Sequence, residues 1–242
     1  MRNIGLAFLT VVGLYLAGCA GAPADQATDP GDPYEATNRK IFAFDQMLDR
    51  TFLLPTAKNY NRFIPAFGRD RIHDLLGNLD LPITFANDVL QAEPHRAGQT
   101  LLRFTVNATV GLGGLFDPAT THFHMPAHNE DFGQTLGVWG VGNDPYLMLP
   151  VLGPSSPRDA VGRAGDVAMD PLTWIRFKQH IWWMGGRQYM KVLDARARNI
   201  DSLEGLERQS VDFYASTRSL YRQYRASEIR NGQPDVKDLP DL

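Results

Sequence analysis

The chain has 242 residues, 43% of them hydrophobic, which suits one domain with a real core and does not suit a disordered segment. Its 24 basic and 27 acidic side chains leave a net charge of −3 with no dominant basic stretch, which argues against a nucleic-acid binder. A single cysteine leaves no partner for an internal disulfide, so folding in an oxidising compartment rests on packing.

At the start of the chain, Arg2 precedes an almost wholly apolar run from Ile4 to Leu16, and Leu16-Ala17-Gly18-Cys19 closes it. A positive end, an apolar middle and small residues before a cut site predict a secretory signal over residues 1–18. The closing residues resemble the lipobox of bacterial lipoproteins, which implies that Cys19 is acylated and becomes the first mature residue. Several acyl chains hold a protein on a membrane durably where one holds it only marginally. Ala20 stands where, in that pattern, an aspartate retains lipoproteins at the inner membrane, so the resemblance implies an outer-membrane address. An ordinary signal with a chance cysteine at its end is the alternative. Residues 19–31, rich in Ala, Asp, Gly and Pro, read as a flexible tether. No later stretch approaches the roughly eighteen uncharged apolar residues of a spanning helix.

Order is expected from Asp32-Pro33-Tyr34-Glu35, read as a capping box that starts a helix running to about Leu54, with Ile41, Phe44, Leu48 and Phe52 as its apolar stripe. A loop or short helix with Tyr60 and Phe63 follows Pro55, then a helix from Arg69 to Leu79. Leu81 to Leu90 reads as a separate helix with a proline at its start, apolar over most of its circumference and so buried or in lipid. Another helix is predicted from Pro94 to Thr109. It leads into Gly111-Leu112-Gly113-Gly114. No strand precedes these glycines and no Lys-Ser or Lys-Thr pair follows, so a helix terminus with close backbone approach is preferred to a phosphate cradle.

His122, His124, His128 and Glu130 fall within ten residues and carry the enzyme alternative, a zinc-dependent lipid hydrolase with an open metal position; the other reading is a polar surface loop. Gly137, Gly140 and Gly142 precede the apolar run Tyr146 to Leu152 and are candidate hinges for a flap. Ser155 and Ser156 lack the Gly-x-Ser-x-Gly pattern of a nucleophile elbow and read as the cap of a helix starting near Pro157. Trp174, Ile175, Phe177, Ile181, Trp182 and Trp183 suit either a membrane boundary or an aromatic core, and Arg187 follows them as a candidate for a lipid phosphate. Helices are predicted over Gln188–Ile200 and from about Leu206 to Ile229, the second with Arg218, Arg222, Arg225 and Arg230 as a basic flank that is either solvated or docks an acidic partner. Residues 231–242 read as a disordered tail.

Several stretches share a pattern beyond these local rules. They are Asp32-Pro33-x-Glu35-x-x-Asn38-Arg39-x-x-Phe42-x-Phe44, Asn107 to Asp117, Glu130-Asp131-Phe132-Gly133-x-Thr135-Leu136-Gly137 continuing to Asp159, and Asp212-x-Tyr214-x-x-x-Arg218-x-x-Tyr221. Together they resemble the MlaA (VacJ) family of outer-membrane lipoproteins from Asp32 to about Ile229. The resemblance implies an all-α domain over residues 32–230, a ring-shaped bundle of amphipathic helices with a central polar channel. It implies removal of misplaced phospholipid from the outer leaflet and its transfer to a soluble periplasmic carrier, in association with a trimeric porin, with no cofactor and no catalysis. Asn87, Asp88, Arg103, Asn107 and Arg187, polar positions within or beside apolar stretches, are the candidates for the channel or its mouth. A lipoprotein that only tethers partners is a further alternative, and it predicts a solid core.

Overall fold

The computed structural model describes residues 31–175 and 178–233. The expected export segment, Cys19, the tether through residue 30, Phe177 and the tail from residue 234 therefore lie outside the described residues.

The fold is all-α apart from one small hairpin. In chain order the elements are α1 (Glu35–Leu48), α2 (Leu54–Phe63), α3 (Ala66–Leu90), α4 (Pro94–Thr109), α5 (Pro118–Thr121), α6 (Phe132–Val138), strands β1 (Leu147–Leu149) and β2 (Gly153–Ser155), α7 (Pro157–Met169), α8 (Pro171–Trp174), α9 (His180–Arg198), α10 (Ile200–Gln209) and α11 (Phe213–Ile229). The strands pair antiparallel with Met148 opposite Pro154.

Several ends follow directly from residue chemistry. Ser156 accepts a hydrogen bond from the Asp159 amide and caps α7, as expected, with Pro157 in the first turn. Asp131, Asp117 and Asp212 cap α6, α5 and α11 in the same way. α4 spans Pro94–Thr109 as predicted. Beyond it, a Cβ on Gly111 would lie 2.4 Å from the carbonyl oxygens of Asn107 and Phe116, which is the close backbone approach expected of this glycine run.

Other expectations are corrected. Asp32 does not cap α1, which begins at Glu35 after Tyr34. Its carboxylate is buried, accepting from Asn38 Nδ2 at 2.7 Å, Arg218 at 2.9 Å and the Tyr214 hydroxyl, so tertiary partners outbid the local amide. Of the loop or short helix expected after Pro55, the structure has the helix, α2. A single π turn, Asp49–Leu53, carries α1 into α2, whose second residue is Pro55. The two helices expected over Arg69–Leu90 are one 25-residue helix, Ala66–Leu90, which continues through Pro82 and packs against α4. α9 begins at His180 rather than Gln188 and runs through Gly185-Gly186. The helix expected from Leu206 to Ile229 is two, because Asp212 caps α11 and breaks it from α10. The hairpin was not expected, since three-residue strands leave too little alternation to read.

Two apolar clusters hold the helices. Ala57, Tyr60, Leu193 and Ala197 join α2 to α9, with Ile72 and Ile200 packed around them. Tyr146, Met148 and Tyr214 join the hairpin to α1 and α11. Burial of one such large side chain contributes roughly 1.5–3 kcal/mol. Among the described residues the buried set is nevertheless twice as rich in polar and charged side chains, 20, as in hydrophobic ones, 10. The segment read as apolar all round, Leu81–Leu90, buries Leu81 but also Thr84, Asn87 and Asp88, and exposes Val89 and Leu90. Among the described residues, helix faces turned inward are thus often polar, and many large apolar side chains are exposed.

Candidate functional site

α3 and α4 pack as neighbours, and each turns a polar row inward. Thr84, Asn87, Asp88 and Gln91 recur at helical spacing, as do Arg96, Thr100, Arg103 and Asn107. Most of these are fully or nearly fully buried.

Asp88 is 0% exposed. Thr100 Oγ1 donates to its Oδ2 at 2.6 Å, His128 Nε2 lies 3.1 Å from both oxygens, and Arg96 Nε stands at 3.7 Å. Arg96 also donates to Glu130, whose other oxygen accepts from Gln91 Nε2 at 2.9 Å. Gln91 continues to Thr135 Oγ1 at 3.1 Å, Thr135 donates to Asn87 Oδ1 at 2.8 Å, and Asn87 Nδ2 donates to the Ile83 carbonyl and to Asp166 Oδ1. One chain of hydrogen bonds thus links α3, α4, α6 and α7. Burial raises the Glu130 and Asp166 carboxyls, outweighing the donors that favour their charged forms; Asp166 is pushed up to about 6.

Arg103 and Asn107 build a second cluster one and two turns further along α4. Arg103 donates to Asp117 Oδ2 at 2.9 Å and to Thr120 Oγ1 at 2.8 Å, and reaches the Met125 carbonyl. Asn107 donates to Asp117 Oδ1 at 2.9 Å and accepts from the Ala119 amide. Burial opposes ionisation of Asp117, yet donors from Thr120, Asn107 and Arg103 hold its carboxyl below the usual range.

Arg187 lies apart from both clusters, on α9. It spans two carboxylates, Asp170 at 2.6 Å and Asp80 at 2.7 Å, and donates to the Leu79 carbonyl, tying α9 to α3 and to the start of α8. The structure thus brings Asn87 with Asp88, and Arg103 with Asn107, and does not bring Arg187 to either.

The candidate hinges differ among themselves. Gly137 sits inside α6, where a Cβ would approach Ile229 Cδ1 at 2.7 Å. Gly140 has φ +93° and Gly142 has open space around it. Only the latter two lie where the chain leaves the helix.

The four groups of the zinc alternative do not converge. His128 and Glu130 turn inward to separate partners, His122 and His124 are exposed, and among the described residues no three His, Cys, Asp or Glu side chains gather as metal ligands. Most of the basic flank of α11 is paired within the chain, while Arg230 at its end is exposed. Arg225, 7% exposed, is shared by Asp131 and Asp159, Arg218 binds Asp32, and Arg222 binds Asp144. Burial alone would raise Asp131 and Asp159, but Arg225 holds both below the usual carboxylate range.

Gln91, Arg96, Thr135 and Asp166 were not singled out from sequence. The signal was present on α4 and the end of α3 as a polar row at helical period, but a search for apolar stripes discards it. Gly162 was also missed. A Cβ there would stand 2.4 Å from the Gly133 amide nitrogen, so α6 and α7 cross with backbones in contact.

The outer faces carry the apolar residues. Trp182 is 84% and Ile181 81% exposed, and Trp174, Trp183 and Trp139 are also exposed, so the tryptophans are not an aromatic core. Trp174 and Trp139 satisfy their indole N–H on the Ala168 and Leu90 carbonyls, which leaves their rings to face outward. Among the described residues no helix is long and apolar enough to cross a membrane.

A family model described as MlaA lipoprotein matches residues 30–228. The chain is 33% identical over 241 residues to the intermembrane phospholipid transport system lipoprotein MlaA of Escherichia coli, covering 93% of each protein. It is 31% identical to the protein of the same description from Haemophilus influenzae, covering 99% of this chain and 96% of the relative. An uncharacterized protein of Rickettsia bellii is 34% identical over 82% of this chain and 77% of its own length. A solved structure described as "Structural basis for maintenance of bacterial outer membrane lipid asymmetry" matches with a TM-score of 0.73 and 32% identity, over 82% of this chain and 98% of that one.

Proposed function

Because the chain belongs to the MlaA lipoprotein family, we propose that it removes mislocalised phospholipid from the outer leaflet of the outer membrane and passes it to a soluble periplasmic carrier. The observation that carries this reading is the inverted burial: polar side chains outnumber apolar ones among the buried described residues, while many large apolar side chains are exposed. A phospholipid headgroup cannot cross hydrocarbon cheaply, so a passage needs polar walls and an apolar exterior. Amphipathic helices arranged around such a passage supply both without a spanning segment. No bond is made or broken, so no catalytic group is needed.

In this reading Cys19 carries the acyl chains that hold the protein at the outer membrane, and a trimeric porin seats it there. Asn87, Asp88, Arg103, Asn107 and Arg187 define the polar wall through the networks they order rather than by lying bare to the lipid. Gly140 and Gly142 give the hairpin its freedom to swing. Complementation of a strain lacking this gene tests the reading. The wild-type chain should restore a phospholipid-free outer leaflet, and a Cys19→Ser chain should not. A wild-type chain that is abundant in the outer membrane yet leaves outer-leaflet phospholipid unchanged would exclude transport and leave the tethering role.

A further inference from the structure

Pro65 ends α2, because a residue before proline is pushed out of the helical region, and Ile64 is extended, with φ −97° and ψ 118°. α3 starts at the next residue, Ala66. Five of the six residues 62–67 around this turn, Arg62, Phe63, Pro65, Ala66 and Phe67, are exposed, Phe63 at 70% and Phe67 at 66%. A run of exposed apolar residues marks a surface that meets something other than water.

Charge says what it meets. Residues 55–72 hold Lys58, Arg62, Arg69 and Arg71 against Asp70 alone, a local charge of +3 in a chain whose net charge is −3. Lys58 is paired with Glu204 at 3.1 Å and Arg71 with Asp74 at 2.7 Å. Arg69 donates to Asn61, and Arg62 is exposed with its guanidinium 5.5 Å from the Phe63 ring centroid; among the described residues neither has a carboxylate within ion-pair distance. Arg71 lies 5.0 Å from the Phe67 centroid, so each exposed ring has a guanidinium beside it. Such pairs suit the boundary of a bilayer, where a ring enters among the acyl chains while a neighbouring cation stays level with the phosphates. The exposed positions flanking the turn are polar, Lys58 and Asn59 on α2 and Asp70 and His73 on α3, which confines insertion to the tip. A soluble acidic partner would answer the charge alone, whereas exposed rings on a turn enter lipid without needing a preformed pocket.

We propose that the α2–α3 turn is a tip that inserts shallowly into an anionic bilayer, with Phe63 and Phe67 below the phosphates and Arg62 level with them. The transport reading needs an apolar exterior but no preference for membrane charge, so the tip goes beyond it.

Full-length Cys19→Ser protein, which carries no acyl chain on that residue, separates the tip from the anchor in a vesicle flotation assay. More of it should float with vesicles of phosphatidylcholine and phosphatidylglycerol than with phosphatidylcholine alone, and added salt should narrow the difference. In this parent, Arg62→Gln should cut binding to the anionic vesicles about fivefold and leave binding to the neutral ones unchanged. Phe63→Ser combined with Phe67→Ser should cut binding to both roughly tenfold. Val211→Ser, which removes an apolar side chain exposed elsewhere, should change neither. Melting temperatures equal to the parent's would show that each variant is folded. Binding that is unchanged in Arg62→Gln and in the double variant overturns the tip and leaves the transport reading standing, as does a parent that floats with neither vesicle. Polyglutamate that binds the parent and not the tip variants, with vesicle binding the same in all, would overturn the bilayer in favour of an acidic protein.

Discussion

Single side chains in this protein are set against the usual economy of a helical core. Arg225 is buried between Asp131 and Asp159. Removing one partner of such a group typically costs about 3–5 kcal/mol because the remaining charge is stranded. Asp166 shows the opposite case, a carboxylate that burial penalises, with its pKa pushed up to about 6 from an ordinary value near 4. The folded state then binds the proton more tightly than the unfolded chain. Stability from this group is present below the unfolded value and is lost as pH rises through the window from about 4 to about 6. Asp131 and Asp159 work in the other sense and lose their contribution as pH falls. The difference between wild type and Asp166→Asn isolates the first effect. In urea melts, the wild type should lose of order 2 kcal/mol relative to the variant between pH 4 and pH 6.5, Asp166 being partly solvated. Parallel stability curves over that range would show that Asp166 does not titrate there.

At the scale of elements, helix contacts depend on polar chains and on glycine as well as on the two apolar clusters. The α6–α7 crossing brings Gly133 and Gly162 together, with Arg225, Asp131 and Asp159 closing around it. Gly162→Ala should lower stability by about 2 kcal/mol or more, since a methyl group there meets backbone atoms that cannot rotate away. Gly142→Ala, with open space around it, should be neutral or gain up to about 0.5 kcal/mol by restricting the unfolded chain. Thermal melts of the two variants decide the point. Equal melting temperatures would mean that the crossing can relax at no cost.

Over the described domain as a whole, many large apolar residues are exposed. The proposed lipid surface accounts for Ile181 and Trp182 at the start of α9 and for Trp174 nearby, all exposed. In vesicles containing brominated acyl chains, tryptophan fluorescence should be quenched, and Trp182→Ser should remove a measurable part of the quenched signal. Its stability in detergent should change by no more than about 0.5 kcal/mol, as for an exposed position. Quenching that is absent in the wild type would place this face in water.

Helix chemistry made much of this protein legible from its residues. The full extent of Pro94–Thr109, the Ser156 cap and the close approach at Gly111 all follow from contacts within a few residues, while the all-α class came with the family resemblance. Asn87, Asp88, Arg103 and Asn107 stood out as polar groups among apolar neighbours, and all four are buried. Their grouping into one cluster on Asp88 and another on Asp117 was not legible, because His128, Glu130, Asp117 and Asp166 reach them from other elements. Nor was the fate of Asp32, whose local pattern is that of a helix cap and whose partners, Tyr214 and Arg218, lie more than 180 residues away. Local propensity settles where a helix can start and stop. Which of its faces turns inward, and whether a charge there is paired, is decided only when distant elements supply the opposite charge.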